Sequence, residues 1–201
     1  MSNIFFTSDL HLQHTNILKF TKPRPFKTIE EHDETIINNW NSVVKKDDII
    51  YMLGDIALKY NSNLLTEQLL KLNGHKHLIL GNHDVAKVQA QYLNMGIWES
   101  MSEYRSIKLH ANDGRLYECI LFHYPILEYN HAFNTVENNK VGKAIHFYGH
   151  IHNMNDYDEI YKKLGFRGVH VGLDTSDKYP NTKSYTPIKF DDILLYLNNR
   201  E

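Results

Sequence analysis

The stretch His77-Leu78-Ile79-Leu80-Gly81-Asn82-His83-Asp84 is the starting point for interpreting the chain. Its apolar first half is typical of a buried strand, and its second half places an amide, an imidazole and a carboxylate on a turn with a glycine hinge. Similar polar clusters follow other apolar runs, at Ser8 to His11, Gly54-Asp55, His123 and Gly149 to His152. Because open α/β sheets bind ligands beyond the carboxyl ends of their strands, we expect these clusters to share one site.

The elements around these clusters change in character along the chain. Strand-like runs and helical patterns alternate in the first half, which indicates parallel strands. The strands are expected at 3–6, 49–53 and 78–80, and the helices at 28–44, 64–72 and 85–95. In the second half, Asn112-Asp113-Gly114 predicts a hairpin turn. The further strands are expected at 104–109, 116–122, 144–148, 169–171 and 187–190, with few helices between them.

These elements predict an α/β fold of two facing mixed β-sheets flanked by helices. We see no repeat and no linker, so residues 1–201 are expected to form a single domain. The asparagine-rich loop at 129–143 is the segment that we expect to be most mobile.

Composition and charge exclude several classes of protein. A hydrophobic content of 42% is too high for a disordered chain. The formal net charge of -2 offers no overall positive field for nucleic acid or for an anionic membrane. No apolar run reaches the roughly 18 residues of a membrane helix, and the first residues do not resemble a secretory leader. The single Cys119 cannot form an internal disulfide, so we expect a soluble cytoplasmic protein without a membrane partner.

The polar clusters together contain three oxygen donors and four imidazoles. These candidate metal ligands are Asp9, His11, Asp55, Asn82, His123, His150 and His152. The i, i+2 pairs at 9/11 and 150/152 point to the same face if their segments are extended. Seven donors are too many for one tetrahedral ion and suit two ions that share a carboxylate. The absence of a cysteine ligand favours manganese, iron, zinc or a related ion on mixed nitrogen and oxygen ligands.

The order of these motifs resembles that of the calcineurin-like metallophosphoesterases. The pattern of that family is D-x-H, G-D, G-N-H-D/E, H and G-H-x-H. It is met in order by Asp9/His11, Gly54-Asp55, Gly81 to Asp84, His123 and Gly149 to His152. The segments Arg24 to Phe26, Asn39 to Asn41 and His123 to Pro125 further resemble the small bacterial and phage-type phosphoesterases of this superfamily.

The resemblance implies a four-layer sandwich with two divalent metal ions. Manganese is favoured, with iron, zinc, nickel and magnesium as alternatives. Asp9, His11, Asp55 and His152 would surround one ion, and Asp55, Asn82, His123 and His150 the other, so that Asp55 bridges. A hydroxide between the ions would attack phosphorus. His83 would protonate the leaving group, and Asp84 would orient His83 and raise its basicity.

The chain also departs from the superfamily. Ile56-Ala57 follows Asp55 where the protein Ser/Thr phosphatases of the superfamily carry Asp-Arg, so protein phosphatase activity is not expected. Arg24, or else Arg105, is the candidate replacement for that phosphate-binding arginine. The other candidates for substrate binding are His14, Asn16 and Tyr124. Asp33 and Asp174 are interpreted as solvated or turn carboxylates.

The sequence therefore predicts a metal-dependent phosphoric ester hydrolase, either a phosphodiesterase or a phosphatase, that acts on small, nucleotide-like substrates. One alternative is a nuclease acting on DNA or RNA, which the overall charge does not favour. Another is a non-catalytic scaffold of the same fold, which would be expected to have lost ligands. All seven ligand positions retain suitable donors. The oligomeric state has no signal in the sequence.

Overall fold

The structure, a computed structural model, describes residues 2–20, 23–133, 142–152 and 157–200. Strands and helices alternate in the first half, as predicted. These elements are β1 (Ile4–Thr7), α1 (Ile29–Val43), β2 (Ile49–Met52), α2 (Ser62–Lys71), β3 (His75–Ile79), α3 (Ala86–Met95) and β4 (Trp98–Ser102). A 3-10 helix at Thr15–Lys19 lies between β1 and α1. The strand β4 was not predicted, because its sequence Trp-Glu-Ser-Met-Ser lacks the apolar alternation of a half-buried strand.

The described part of the second half contains more strands, as predicted, and also two α-helices that were not predicted. Its elements are β5 (Tyr104–His110), β6 (Leu116–Phe122), β7 (Ile145–Tyr148), α4 (Asp158–Leu164), β8 (Gly168–His170), β9 (Ile188–Lys189) and α5 (Phe190–Arg200). A 3-10 helix at Leu173–Lys178 precedes β9. The predicted hairpin is present, since β5 and β6 pair antiparallel from Tyr104↔Phe122 to His110↔Leu116.

The expected strand at 187–190 is too long at both ends. The strand β9 covers only Ile188–Lys189, and Phe190 begins α5. Asp191 and Asp192 lie in the first turn of α5, where carboxylates interact favourably with the helix dipole. Ile193, Leu194 and Leu197 then recur at helical spacing and are buried. The short strand and the helix are contiguous, which hid the boundary in the sequence.

The strands form two mixed sheets, as predicted. The five-stranded sheet has the order β4-β3-β2-β1-β9, in which β1 to β4 are parallel and β9 is antiparallel. The four-stranded sheet has the order β5-β6-β7-β8, in which only the β5 to β6 pairing is antiparallel. Parallel neighbours end at the same edge of a sheet, so the residues that follow β1, β2 and β3 are brought together.

The two sheets share one apolar core, and Phe6 joins them. Its side chain is fully buried, and its ring stacks on Phe147 of β7 with the centroids 4.2 Å apart. It also stacks on Tyr51 of β2 at 5.4 Å. Phe5, the preceding residue, belongs to the core on the opposite face of the five-stranded sheet, as the two-residue period of a strand requires.

Helices flank both sheets. The side chains Trp40 of α1, Leu69 of α2 and Tyr92 of α3 pack with Phe5 in the outer core of the five-stranded sheet. Helix α1 starts where the sequence predicts, because the Thr28 hydroxyl accepts a hydrogen bond from the Glu31 amide at 3.2 Å. Against the four-stranded sheet, Tyr161 of α4 packs in a smaller core.

Two expectations about the whole chain reach beyond the described residues. Residues 134–141 of the loop that was expected to be mobile lie outside them, and the single domain over residues 1–201 stays a prediction. Among the helices that the structure describes, none is long and apolar enough to span a bilayer.

Phe6→Ala is expected to destabilise the protein by about 3–5 kcal/mol, because it removes a large buried ring that contacts both sheets. Urea unfolding in the presence of chelator measures this change. Leu70→Ala is the control, since Leu70 is 63% exposed on α2 and its loss is expected to stay within about 0.5 kcal/mol. Similar unfolding free energies for the two variants would contradict the central role of the Phe6 stack.

Candidate metal centre

The predicted ligands lie on tight turns that directly follow the strands. Five of them have backbone φ in the left-handed region: Asp9 (58°), His11 (52°), Asp55 (54°), His150 (70°) and His152 (47°). The segments 9–11 and 150–152 are therefore not extended, so the expectation that an extended backbone points each pair to the same face is wrong. Left-handed backbone at non-glycine residues is uncommon and costs about 1 kcal/mol or more each. These five ligands are half of the ten non-glycine residues with left-handed backbone among the residues that the structure describes.

Two glycines allow the turns after β2 and β3 to touch. Gly54 has φ +87°, and a Cβ at this position would lie 2.5 Å from the Gly81 Cα. A Cβ on Gly81 would lie 2.3 Å from Asp55 Oδ1. Neither position has space for a side chain, which explains the glycine in each of these two motifs.

The structure brings Asp9, His11 and His152 together as a first cluster, with one potential ligand atom from each lying within 4.8 Å of the others. Asp9 Oδ1 is 3.9 Å from Nε2 of His11 and 3.9 Å from Nε2 of His152. Asp9 and His11 are buried. His11 Nε2 has no hydrogen-bond partner among the described residues. A buried nitrogen without a partner is costly, so this atom is a strong sign that the cluster fits a cation.

Asp55, His123 and His150 form a second cluster under the same criterion. His123 Nε2 is 3.5 Å from Asp55 Oδ2. Asn82 adds an amide oxygen, which lies 3.0 Å from His123 Nε2 and 2.8 Å from His150 Nδ1. The second cluster thus combines a carboxylate, two imidazoles and a neutral oxygen.

Asp55 connects the two clusters. Its Oδ2 faces His123 of the second cluster at 3.5 Å and His11 of the first at 3.8 Å. Its Oδ1 accepts a hydrogen bond from the His83 backbone amide at 2.9 Å. All seven predicted ligands are therefore close together, and Asp55 lies between the two clusters. That it bridges two ions stays a prediction.

The electrostatics of the clusters favour a bound positive charge. Burial disfavours ionisation of Asp55, but the hydrogen bond and the charge of His123 outweigh it and lower the pKa of Asp55 to about 2. Burial likewise opposes protonation of His123, yet Asp55 and Asp9 raise its pKa to about 9. The pKa of His11 is well below its usual value because of burial and the nearby charge of Arg24. The negative charge of Asp55 and Asp9 thus favours a proton on His123. The same negative charge would favour a divalent cation in its place.

The side chains behind the ligands fix which ring nitrogen faces the clusters. His123 Nδ1 donates to the Leu53 carbonyl at 2.6 Å, which leaves Nε2 for the centre. His152 Nδ1 contacts Asp174 Oδ2 at 2.5 Å, which again leaves Nε2. Such partners of metal-binding histidines set the tautomer and raise ligand basicity. Asp174, which the sequence analysis interpreted as a solvated or turn carboxylate, has a side chain that is only 5% exposed.

Arg24 supports Asp174 from the side away from His152, and its buried guanidinium is not accessible to a substrate. It is 3% exposed, and its Nε donates to Asp174 Oδ1 at 2.5 Å. Its two terminal nitrogens donate to the backbone carbonyls of Leu10 and Asp9. The prediction that Arg24 binds the phosphate is therefore wrong, because its guanidinium is buried and engaged by these acceptors. Arg105, the alternative, donates to Ser100 Oγ.

The network behind Arg24 continues to α1. Arg24 Nη1 lies 2.8 Å from His32 Nε2, and His32 Nδ1 lies 2.7 Å from Asp33 Oδ1. Asp33 also accepts from the Gln13 amide at 3.0 Å. Asp33, interpreted as a solvated or turn carboxylate, is in fact buried. A buried polar chain thus links α1 to the first cluster.

The prediction that Asp84 orients His83 is wrong, because the Asp84 carboxyl group has other partners. Its Oδ2 accepts hydrogen bonds from the backbone amides of Asp55 and Gly81, each at 2.8 Å. Its Oδ1 accepts from the Tyr92 hydroxyl at 3.1 Å. Burial raises the pKa of the Asp84 carboxyl. Asp84 therefore positions the backbone of Asp55 and not the ring of His83, which corrects the role predicted for it.

His83 lies at the solvent-exposed edge of the candidate centre. Its side chain is 35% exposed, and its Nε2 is 3.9 Å from Asp55 Oδ2. The His83 ring also lies edge-on to the His11 ring, with the centroids 5.7 Å apart. It is thus the predicted catalytic residue that combines solvent access with proximity to both clusters.

The remaining candidates for substrate binding differ in position. His14 is 5% exposed and contacts His11 through Nδ1 at 3.1 Å, and burial together with the charge of His83 lowers its pKa to about 4. Tyr124 is 37% exposed beside His150. Asn16 is exposed on the 3-10 helix, and no hydrogen bond among the described residues joins it to the clusters. Phe20, which no sequence pattern singled out, is exposed next to His14 and His152.

Comparison with known proteins finds relatives that match most of the chain, although no protein-family model matches it. The uncharacterized protein MJ1445 of Methanocaldococcus jannaschii is 30% identical over 195 residues, which cover 96% of this chain and 90% of that protein. The Gene 66 protein of Mycobacterium phage L5 is 30% identical over 193 residues, which cover 87% of each chain. The crystal structure of AQ665 from Aquifex aeolicus, a protein of unknown function, superposes with a TM-score of 0.69 at 23% identity and covers 97% of this chain and 99% of that one, so the two share a fold.

Asp174→Asn is expected to weaken Mn²⁺ binding by about 10- to 100-fold, because the amide cannot provide the charge that orients His152 and holds Arg24. Isothermal titration calorimetry on the full chain measures the affinity. Asp177→Asn is the matched control, since Asp177 lies on the same 3-10 helix but is exposed and bonds Ser184. Equal affinities for the two variants would rule out a supporting role for Asp174.

Proposed function

The chain belongs to the family of the archaeal protein MJ1445 and the phage L5 Gene 66 protein, and we propose that it is a dinuclear metal-dependent phosphoesterase of the calcineurin-like superfamily. In this proposal the helices on the outer faces of the two sheets complete the four-layer sandwich of that superfamily. The packing of α1 to α3 on one sheet and of α4 on the other supports this assignment.

The observation that carries the proposal is the pair of clusters that meet at Asp55. Each cluster offers a carboxylate and two imidazoles, and Asp55 Oδ2 lies within 4 Å of a ring nitrogen from each of them. Structural metal sites are closed and hold one ion, whereas two sites that share a carboxylate are typical of hydrolases. The unpartnered His11 Nε2 supports the same interpretation.

Each ion would have four protein ligands. Asp9, His11, Asp55 and His152 would hold one, and Asp55, Asn82, His123 and His150 the other. Two divalent cations supply Lewis-acid charge that lowers the pKa of water and offsets the negative charge of a phosphate. The neutral Asn82 limits the negative charge that the protein itself presents to that phosphate. Manganese is the ion that the resemblance to this superfamily favours, and iron, zinc, nickel and magnesium are the alternatives.

His83 is the group that moves a proton. It is exposed enough to reach a substrate, while the hydrogen bond from its backbone amide to Asp55 Oδ1 ties its position to the bridging carboxylate. An imidazolium here donates a proton to the leaving oxygen as the P–O bond breaks, and it stabilises the charge that develops on that oxygen. Asp84 contributes indirectly, since it fixes the backbone of Asp55 and Gly81.

The substrate is a small phosphodiester or phosphomonoester of nucleotide type. Asn82, Tyr124 and Phe20 are exposed around the two clusters, so the centre is accessible to solvent. Next to the centre, the described residues offer the imidazole of His83 and the rings of Phe20 and Tyr124. Arg24 was expected to bind the phosphate, but it is buried.

The proposal predicts metal-dependent hydrolysis. The protein is stripped of metal with chelator and is then assayed on bis-p-nitrophenyl phosphate, p-nitrophenyl phosphate and a nucleotide panel. Mn²⁺, Ni²⁺, Zn²⁺ and Mg²⁺ are each added back. We expect the metal-free protein to be inactive and Mn²⁺ to restore the most activity. Activity that survives thorough metal removal would overturn the mechanism, and the preferred ester decides between a diesterase and a monoesterase.

His83→Ala is expected to lower kcat by about 10²- to 10⁴-fold on a nucleotide ester, because the leaving alkoxide then lacks a proton donor. The loss should be smaller for p-nitrophenyl esters, whose leaving group needs less protonation, and the Mn²⁺ content should not change. His110→Ala is the control, since His110 is exposed at the end of β5. Near-normal turnover of both kinds of substrate by His83→Ala would contradict the role of this residue.

A further inference from the structure

Two exposed aromatic side chains lie beside the candidate centre, one next to each cluster. Phe20 is 42% exposed, and its ring centroid is 6.0 Å from that of His152 and 5.8 Å from that of His14. Tyr124 is 37% exposed, and its ring centroid is 4.6 Å from that of His150 and 5.2 Å from that of His123. Phe20 therefore borders the first cluster, and Tyr124 borders the second.

On the side of Tyr124 the aromatic surface continues away from the centre. The Phe122 ring lies 5.6 Å from Tyr124, and the Tyr104 ring lies 6.4 Å from Phe122. Tyr104 and Phe122 are register partners at the end of the β5–β6 hairpin, and Tyr104 is 46% exposed. We call Tyr124, Phe122 and Tyr104 the aromatic track. It has no counterpart next to Phe20 among the described residues.

The fold holds Tyr124 at this position. Nε2 of the buried His146 lies 3.1 Å from the Tyr124 carbonyl oxygen and 3.3 Å from the Ile126 backbone nitrogen, so it bonds one of these two groups, according to its tautomer. His146 itself is anchored to the Ile120 carbonyl at 3.2 Å. The backbone that directly follows the Tyr124 side chain is thus held by His146, which supports the position of the ring.

Exposed aromatic rings of this kind are suited to stacking on planar groups. Base–aromatic stacking is worth about 1–3 kcal/mol per base and does not depend on base identity. A net charge of -2 provides no general attraction for a polyanion, so affinity for a nucleotide would have to come from local contacts. The phosphate would lie at the two clusters, between Phe20 and Tyr124.

We propose that the substrate is a phosphodiester that joins two nucleosides, with one base stacked on Phe20 and the other on Tyr124. This inference rests on the proposed function and narrows it to diesters with a base on each side. Hydrolysis consumes one water: its oxygen joins phosphorus, the P–O bond to one nucleoside breaks, and that nucleoside leaves with a proton on its oxygen. The products are a nucleoside monophosphate and a nucleoside.

Steady-state kinetics of the Mn²⁺-loaded full chain tests the proposal with two substrates. One is thymidylyl-thymidine, which has a base on each side of the phosphodiester, and the other is the methyl phosphodiester of thymidine, which has one. Phe20→Ala and Tyr124→Ala are each expected to raise KM for the dinucleotide by roughly 5- to 150-fold, the loss of one stacked base. Only one of the two variants should raise KM for the methyl ester. Phe20→Trp should retain a KM close to that of the unmodified chain.

Leu93→Ala is the control for loss of an exposed apolar side chain. Leu93 is 69% exposed on α3, and its removal should leave KM unchanged. Thermal unfolding of all variants shows whether the substitutions disturb the fold. A trinucleotide that binds more tightly than the dinucleotide, with the gain lost in Tyr104→Ala, supports the end of a single strand as the source of the diester. Equal binding supports a free dinucleotide.

A binding measurement separates this proposal from the proposed function. A dinucleotide that contains 2-aminopurine and a hydrolysis-resistant phosphorothioate linkage loses fluorescence when its base stacks on an aromatic ring. We expect quenching by the unmodified chain and weaker quenching by Phe20→Ala or Tyr124→Ala, according to which ring the labelled base contacts. Unchanged KM and unchanged quenching in both variants would overturn the two-base substrate, even if bis-p-nitrophenyl phosphate is hydrolysed. Failure to hydrolyse any phosphoester would instead overturn the proposed function, and the fluorescence would still decide whether these rings bind bases.

Discussion

The candidate centre depends on one carboxylate that holds two turns together. Asp84 Oδ2 accepts the backbone amides of both Asp55 and Gly81, so the turn after β2 and the turn after β3 are fixed to each other. The close approach of Gly54 and Gly81 leaves no space between them. Because Asp55 faces both clusters, a shift of this contact would move the carboxylate that they share. The buried Asp84 carboxyl group therefore sets the position of Asp55 relative to the turn that carries Asn82 and His83.

A second buried network supports the centre from the side of Asp9 and His152. Arg24 joins the backbone of Asp9 to Asp174, which in turn contacts His152. The charges in this network are mutually compensating, since Arg24 and His152 lower the pKa of the Asp174 carboxyl in spite of its burial. Breaking one partner of such a network leaves an uncompensated buried charge, which is strongly destabilising. The left-handed backbone at the candidate ligands is thus supported in two places. Asp84 bonds the backbone of Asp55, and the Arg24–Asp174 network bonds the backbone of Asp9 and the ring of His152.

The sequence predicted the convergence of strand ends but not the partners behind them. Apolar runs followed by short polar turns identified the seven candidate ligands, because the carboxyl ends of parallel strands meet at one edge. Arg24 and Asp174 are 150 positions apart, and no local pattern indicates that they pair. Asp84 follows His83 in the chain, yet its partners are two backbone amides and the Tyr92 hydroxyl, which only the fold brings within reach. Helix α5 was missed for a local reason, since a two-residue strand runs directly into it.

Each cluster draws its ligands from both sheets, and this has a mechanical consequence. Asp9 and Asp55 follow strands of the five-stranded sheet, whereas His123, His150 and His152 follow strands of the four-stranded sheet. The Phe6 stack joins the sheets through apolar contact at the centre of the core, and a cation in either cluster would cross-link them at the rim. Bound metal would then hold the two sheets together at this edge. Without the metal, this edge of the interface would be free to separate, while the apolar core would still join the sheets.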